Sequence, residues 1–426
     1  MINRREYLVE LEKHRGKSGL IKVVTGVRRC GKSTLLQLFR KKLAKDRVPA
    51  SRIINISLES IENEELRNGK ALYKFVKSKI KSNDLHYVFI DEIQLANGYE
   101  EAANSLRLLK NTDLFVTGSN SNILSGDLAT RWAGRYVEIK MLPLSFREFA
   151  SVFPDTNHDI IFRHYIEQGS FPEVLAYFEQ FKFDGPVKAD GSRRFSGYHW
   201  DENGARTYLD AIYNSIMIKD VMLQHGIKEV YLLDRVVKCL FSNIGSETSI
   251  NGMVNMLNND LKLHPTEKKV YAARLEDYIN GLLRSFVFYK AERNYIKGRE
   301  YLKTNAKYYV VDVGLRYYLL GNKGADSGHI LENIVYLELL RRGYKVSIGK
   351  VGEKEIDFVA EGVKGIEYYQ VAETVRGKET LARELDPLNA IHDHNPKFLL
   401  TRDYEPKTSH NGIKQLNVLE WLLQTI

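Results

Sequence analysis

The chain has 426 residues, 43% hydrophobic and 27% charged, with a formal net charge of +9. That length predicts about three domains, and no apolar run nears the roughly 18 residues that a membrane span needs. Met1-Ile2-Asn3-Arg4-Arg5-Glu6 lacks the apolar stretch of a secretory signal, and two cysteines, Cys30 and Cys239, supply neither a disulfide framework nor a clustered zinc site. A cytoplasmic protein with no membrane partner is expected, and the basic balance points mildly to an anionic one.

Taken in order, residues 3–15 put Tyr7, Leu8 and Leu11 on one face of a short helix. Residues 20–24 form a β-branched strand that runs into Gly26-Val27-Arg28-Arg29-Cys30-Gly31-Lys32-Ser33-Thr34, and an apolar-periodic helix leaves at residues 33–39. G-x-x-x-x-G-K-S between strand and helix is the phosphate-binding, or Walker A, loop. Its glycines let backbone N–H groups turn inward around a polyphosphate, Lys32 reaches the β- and γ-phosphates, and the Ser33 hydroxyl joins a Mg²⁺ shell. Gly26, Arg29, Cys30, Gly31, Lys32, Ser33 and Thr34 are the candidate ATP-binding residues.

Residues 52–57 predict a second strand and residues 64–81 a helix. The apolar strand at 85–90 ends in Asp91-Glu92, where α/β sheets bind ligands. Beside a phosphate loop, Asp91 is expected to hold Mg²⁺ through water and Glu92 to polarise the attacking water (Walker B); the competing reading is a helix cap. Another strand, at 114–120, would bring Thr117, Ser119 or Asn120 near the γ-phosphate if it lay between the first two motif strands. A plain strand-to-loop exit fits the same residues. Arg131 and Arg135 precede a fifth strand at 136–139 and are candidate fingers toward a neighbour's nucleotide in a homo-oligomer, or solvated arginines.

Thr-Gly-Val-Arg-Arg-Cys-Gly-Lys-Ser-Thr, Asp-Glu-Ile-Gln at 91–94, Thr-Gly-Ser at 117–119, Ala-Gly-Arg-Tyr at 133–136 and Leu-Pro-Leu-Ser-Phe-Arg-Glu-Phe together resemble a prokaryotic AAA-type ATPase family with a C-terminal domain of unknown function. The resemblance runs over nearly the whole chain. It implies an α/β fold: a P-loop sheet of five parallel strands over 1–150 with a helical lid over 151–227. In that lid, helices are expected at 160–168, 174–181 and 206–224, with a surface loop at 184–204.

Helical stretches at 232–244, 250–260 and 268–281, then strands at 286–289 and 308–310, give 228–320 the layout of a winged-helix domain. Between Arg284 and Lys307 the positive residues are Arg284, Lys290, Arg293, Lys297, Arg299, Lys303 and Lys307, against Glu292 and Glu300. A wing of that charge suits DNA, with Lys297 and Arg299 as candidate contacts; protein docking and protection of a sheet edge are the alternatives. A linker at 321–328 leads to a C-terminal domain over 329–426. Its opening helix carries Glu332, its second strand Asp357, and its third reads Gln370-Val371-Ala372. This is the arrangement of PD-(D/E)xK metal-dependent nucleases with Gln370 for an acid and Ala372 for the lysine, which predicts a nuclease-like fold that has lost catalysis. His392-Asp393-His394 lacks a further ligand nearby and is expected to be a polar loop.

The sequence therefore predicts a Mg²⁺- and ATP-dependent ATPase acting on DNA or a protein client. The competing readings are a nucleotide-gated signalling switch with slow turnover, a DNA-binding regulator stabilised by ATP, and a live nuclease.

Overall fold

The computed structural model describes residues 2–424 except 120–131, 133, 155, 181–197, 223–225, 262–269, 297–305, 322–326 and 405–407. The chain divides into two units, Met1–Pro143 with Arg284–Phe286 and Leu144–Leu283 with Val287–Ile426.

Apolar strands alternating with amphipathic helices build the first unit, a pattern that closes into a parallel sheet covered on both faces. Its elements are α1 (Arg5–Lys13), β1 (Ile21–Thr25), α2 (Lys32–Lys45), β2 (Ile53–Ser57), α3 (Gly69–Lys79), β3 (His86–Asp91), α4 (Tyr99–Arg107), β4 (Thr112–Gly118) and β5 (Tyr136–Lys140). All neighbours are parallel, in the order β2-β3-β4-β1-β5. β4 thus lies between the strand that feeds the phosphate loop and the strand that ends in Asp91. The helix expected from residue 64 starts only at Gly69, because the Asn68 side chain caps it by accepting from Lys70 N and Ala71 N, both at 3.1 Å.

Every residue of β1 and β4 is buried. On one face Phe39 of α2 packs on Phe115 at 5.2 Å, and Phe115 stacks on Phe89 at 5.0 Å. The alternate residues Val23, Val88, Ile90 and Val116 share a second core with Leu72, Val76, Ala103 and Leu106. At the N-terminal strand ends Lys22 and Asp113 form a fully buried ion pair, and Asp113 also accepts from Gly16 N at 2.7 Å. That pair fixes the edge of the sheet remote from the phosphate loop.

The second unit opens with α5 (Phe146–Ala150) and α6 (His158–Gln168), joined through Phe146, Phe149, Phe162 and Tyr165. The helix expected at 174–181 is instead one short helical stretch, Pro172–Tyr177, followed by β6 (Phe178–Gln180), which pairs with β7 (Tyr198–Trp200). Phe178 and Trp200 face each other across that ladder at 3.9 Å, a contact that outweighs local helix propensity. The loop expected through residue 204 gives way to β7 and to α7 (Glu202–Ile212), which starts where the Asp201 carboxylate accepts from Gly204 N at 2.9 Å. Tyr213–Asp220 continues the helix in the wider π form.

α8 (Val230–Ser242), α9 (Ile250–Leu261) and α10 (Ala272–Arg284) precede the hairpin β8 (Phe288–Tyr295) and β9 (Ala306–Val310), and Thr248 bridges to Ala306. The hairpin is longer than expected, since β8 runs on to Tyr295 and pairs in parallel with the later β10 (Lys345–Val351). A helix absent from the sequence reading, α11 (Val313–Leu320), follows β9. Its N-cap Asp312 is buried, accepting from Leu315 N at 3.0 Å and from Ser170 Oγ at 2.6 Å.

α12 (Ser327–Arg341) begins inside the stretch read as a linker. β10, β11 (Lys354–Gly362) and β12 (Gly365–Ala372) form an antiparallel meander. α13 (Lys378–Asn389) then crosses to β13 (Lys397–Thr401), parallel to β12, and β14 (Thr408–His410), β15 (Ile413–Asn417) and α14 (Val418–Leu423) finish the unit. The result is one eight-stranded sheet, β14-β15-β13-β12-β11-β10-β8-β9. No helix among the described residues is long and apolar enough to cross a membrane.

Candidate nucleotide site

The phosphate loop leaves β1 at Gly26 (φ 149°) and passes Arg29 (φ 65°) to Gly31 (φ 101°), the residue before α2. A side chain at Gly26 would put its Cβ 2.1 Å from the Met141 carbonyl oxygen, so only glycine lets the loop turn there. No described side chain caps α2, which leaves its first-turn N–H groups facing the loop's concavity. Lys32 is buried and donates to the carbonyls of Gly26 (3.0 Å) and Val27 (3.2 Å). Ser33 is exposed at the mouth of the loop and Thr34 is half-buried. Uncapped N–H groups, an amine, a hydroxyl and the nearby Asp91 carboxylate are the donor set that a polyphosphate with Mg²⁺ requires.

Cys30 is fully buried, and burial pushes its thiol up despite the nearby charges of Lys32 and Arg4, so it packs rather than reacts. Arg4, which the sequence reading passed over, is buried beneath the loop. Its guanidinium donates to Cys30 O at 3.1 Å and to Leu142 O at 2.6 Å. Nothing local marks it, since its partners are 26 and 138 residues away.

At the end of β3, Thr117 Oγ1 on β4 donates to Asp91 Oδ1 at 2.6 Å and accepts from Glu92 N at 2.8 Å. Glu92 itself adopts a left-handed conformation (φ 52°), uncommon for a residue with a Cβ. That turn directs its carboxylate toward the loop: Oε1 lies 3.7 Å from Lys32 Nζ, while Oε2 accepts from Ser119 Oγ at 3.0 Å and from Gln94 Nε2. Lys32, Asp91, Glu92, Thr117 and Ser119 therefore form one cluster. Asn120 and Arg131 lie outside the described residues. Arg135 is exposed just before β5, whose first residue pairs with Ile21 and whose last pairs with Thr25. It therefore stands at the end of the sheet opposite the phosphate loop.

A family model described as an AAA domain matches residues 18–150. A protein of Haemophilus influenzae is 37% identical over 429 aligned positions, covering 100% of this chain and 99% of its own length. The chain belongs to the AAA-type P-loop ATPases. A second family model, a domain of unknown function, matches residues 198–326. A protein of Methanocaldococcus jannaschii is 28% identical over 381 positions, 85% of this chain and 78% of its own. Among solved structures, the Aeropyrum pernix ORC2 protein with ADPNP and ADP is similar at a TM-score of 0.39 and 11% identity, over 79% of this chain and 92% of that one. AMPPCP-bound DnaA from Aquifex aeolicus follows at 0.33 and 13%, over 65% and 92%.

Beyond the AAA domain, the second unit gathers the acids expected of a nuclease-like site around a lysine assigned above to the wing. Lys307 on β9 is buried, with Nζ 3.0 Å from Glu332, 2.9 Å from Glu355 and 4.0 Å from Asp357. Tyr309 donates to Glu332 at 2.6 Å. The Gln370 amide donates to Glu384 at 3.0 Å and accepts from Asp357 N at 3.3 Å. Burial, then the charge of Glu332, pushes the Asp357 carboxyl well above the usual range. Burial alone would lower the Lys307 ammonium, but Glu332, Asp357 and Glu355 raise it above its ordinary value.

The wing's other described cations are also partly engaged. Lys290 pairs with Glu292 at 3.1 Å and Arg293 pairs with Glu247, whereas Lys297, Arg299 and Lys303 lie outside the described residues. His392-Asp393-His394 sits in a loop where the Asp393 carboxylate accepts from Tyr368 (2.6 Å) and Asn395 (3.0 Å).

Proposed function

We propose that the chain is a cytoplasmic, Mg²⁺-dependent ATPase whose turnover drives a conformational change acting on DNA or on a protein client. The observation that carries this reading is the 3.7 Å approach of Lys32 Nζ to Glu92 Oε1, which unites the phosphate loop with the acid after β3. In this reading the loop backbone and Lys32 hold the polyphosphate, and Ser33 with Asp91 holds the metal. Glu92 takes the proton of the attacking water. Mg²⁺, when bound, neutralises charge on the phosphate oxygens. Arg135 acts only across an interface between copies, so the arginine-finger role requires a homo-oligomer.

The helices α8 to α10 and the β8–β9 hairpin, with Thr248 bridged to Ala306, support a winged-helix domain. DNA contact would then rest on Lys297, Arg299 and their neighbours, because Lys290, Arg293 and Lys307 each have a carboxylate partner of their own. The α12-β10-β11-β12-α13-β13 order with Glu332 and Asp357 supports a nuclease-like domain. Lys307 supplies the positive charge missing at Ala372, but it is paired to the very carboxylates a divalent cation would need, which supports a catalytically inactive fold. The slow switch remains the second reading, favoured by Lys32 being turned onto its own loop carbonyls.

Steady-state ATP hydrolysis with Mg²⁺, with and without duplex and single-stranded DNA, beside Lys32→Ala, tests the proposal. Turnover stimulated by DNA and abolished by Lys32→Ala supports a DNA-linked ATPase, and turnover indifferent to DNA points to a protein client. ATP binding without turnover supports the switch. Mn²⁺-dependent nicking of plasmid DNA would overturn the inactive nuclease reading.

A further inference from the structure

Gln94 lies in the short helical turn Ile93–Leu95 directly after Glu92, and no role attaches to it in the reading above. Its Nε2 donates to Glu92 Oε2 and lies 3.4 Å from Ser119 Oγ. A carboxylate only accepts hydrogen bonds, so the amide nitrogen must face Glu92 and the amide oxygen must face away. That oxygen, Oε1, is buried and has no hydrogen-bond partner among the described residues. Buried acceptors are nearly always satisfied, and an orphan beside a proton acceptor points to a donor that arrives with the reaction.

The two oxygens of Glu92 are also unequal. Oε2 is held by two donors, Ser119 and Gln94. Oε1 faces only the Lys32 ammonium, at 3.7 Å, and takes no hydrogen bond from the described residues. A carboxylate oxygen without a described hydrogen bond and an orphan amide oxygen thus belong to two side chains of one turn that are joined to each other by a hydrogen bond. A water molecule has two protons to match them.

We propose that Gln94 is a positioning residue for ATP hydrolysis, its amide oxygen holding one proton of the attacking water while Glu92 Oε1 accepts the other. This inference rests on the ATPase reading proposed above. The water oxygen bonds to the γ-phosphorus as the bond from that phosphorus to the β–γ bridging oxygen breaks, and ADP leaves with the electron pair. One proton passes to Glu92 and returns to solvent or product; the other stays on the new phosphate. Glu92 is a base wherever the water stands, but only a water held at both protons keeps its lone pair in line with the phosphorus.

Gln94→Leu, near in shape and without the acceptor, and Gln94→Glu, which keeps an acceptor but loses the donor to Glu92, are compared with the parent in the full chain. The readouts are kcat, KM and the dissociation constant of a fluorescent ATP analogue. Gln94→Leu is expected to lose about a hundredfold in kcat with nucleotide affinity unchanged, and Gln94→Glu to lose less. Parental turnover in Gln94→Leu overturns the inference while leaving the ATPase reading intact. Loss of nucleotide affinity in step with kcat also overturns it, since Gln94 would then shape the binding site. A parent that binds ATP and never turns it over overturns the ATPase reading and this inference together.

Discussion

Lys307→Met tests how much one buried ammonium holds together. Lys307 Nζ lies 3.0 Å from Glu332, 2.9 Å from Glu355 and 4.0 Å from Asp357, and the side chains of Lys307, Glu332 and Asp357 are 7%, 8% and 12% exposed. Methionine nearly fills the lysine stem, so the packing cost stays under about 1.5 kcal/mol. The larger cost is two buried carboxylates left without a counter-charge, for which removal of one partner typically costs about 3–5 kcal/mol. The loss should grow with pH. Asp357 is already raised by its burial and by Glu332, and removing the ammonium raises it further. A carboxyl with a higher pKa in the folded state than in the unfolded state supports folding below its unfolded value. That support is lost as the pH rises through the folded value. Urea unfolding of the full chain at about pH 5.5 and pH 8, with amide exchange in β9 as a local readout, measures both effects. A loss under about 1 kcal/mol at pH 8, or one that shrinks between pH 5.5 and pH 8, would refute the reasoning.

Glu92→Gln should keep ATP binding and lower turnover by at least about a hundredfold; parental turnover would remove Glu92 from its role. Arg4→Ala should cost roughly 3 kcal/mol, because it strips the Cys30, Leu142 and Pro143 carbonyls of a charged donor, and should weaken ATP binding by loosening the loop. Unchanged nucleotide affinity by equilibrium titration would show that the loop holds its shape unaided. Gly26→Ala should lose ATP binding outright, since its Cβ would meet the Met141 carbonyl at 2.1 Å; titration against the parent checks it. Lys297→Glu with Arg299→Glu should lower DNA affinity and flatten its dependence on salt. If neither moves, the wing is not the contact.

What could be read from the sequence was chemistry written in contiguous residues. The phosphate loop between strand and helix and the apolar strand ending in Asp91-Glu92 follow from local spacing and from the apolar run of a buried parallel strand, whereas the five-strand parallel sheet is what the family resemblance implies. The position of β4 was only a condition in the sequence; the fold meets it, and that order brings Ser119 to Glu92. Side chains whose meaning depends on distant partners could not be read this way. Arg4 serves a loop 26 residues on, and Phe178 forms a strand because Trp200 awaits it. Gln94 was visible in Asp-Glu-Ile-Gln, yet its orphan oxygen depends on which way the Glu92 carboxylate turns.

Lys307 shows where counting charge along a chain misleads. Among seven positive residues it looked like one more phosphate contact, but its neighbours Ala306, Tyr308, Tyr309 and Val310 are all buried, and so is every position of β9. A lysine inside such a strand has no water to face, and burial forces it to find carboxylates. It finds Glu332 on α12 and Asp357 on β11, acids read for a different purpose, and Glu355 on β11, which the sequence reading passed over. The strand's apolar run was the available signal. A cation within it belongs to an interior ion cluster, and the same residue cannot also serve a nucleic-acid backbone. The described part of the hairpin therefore carries less outward charge than its composition suggests.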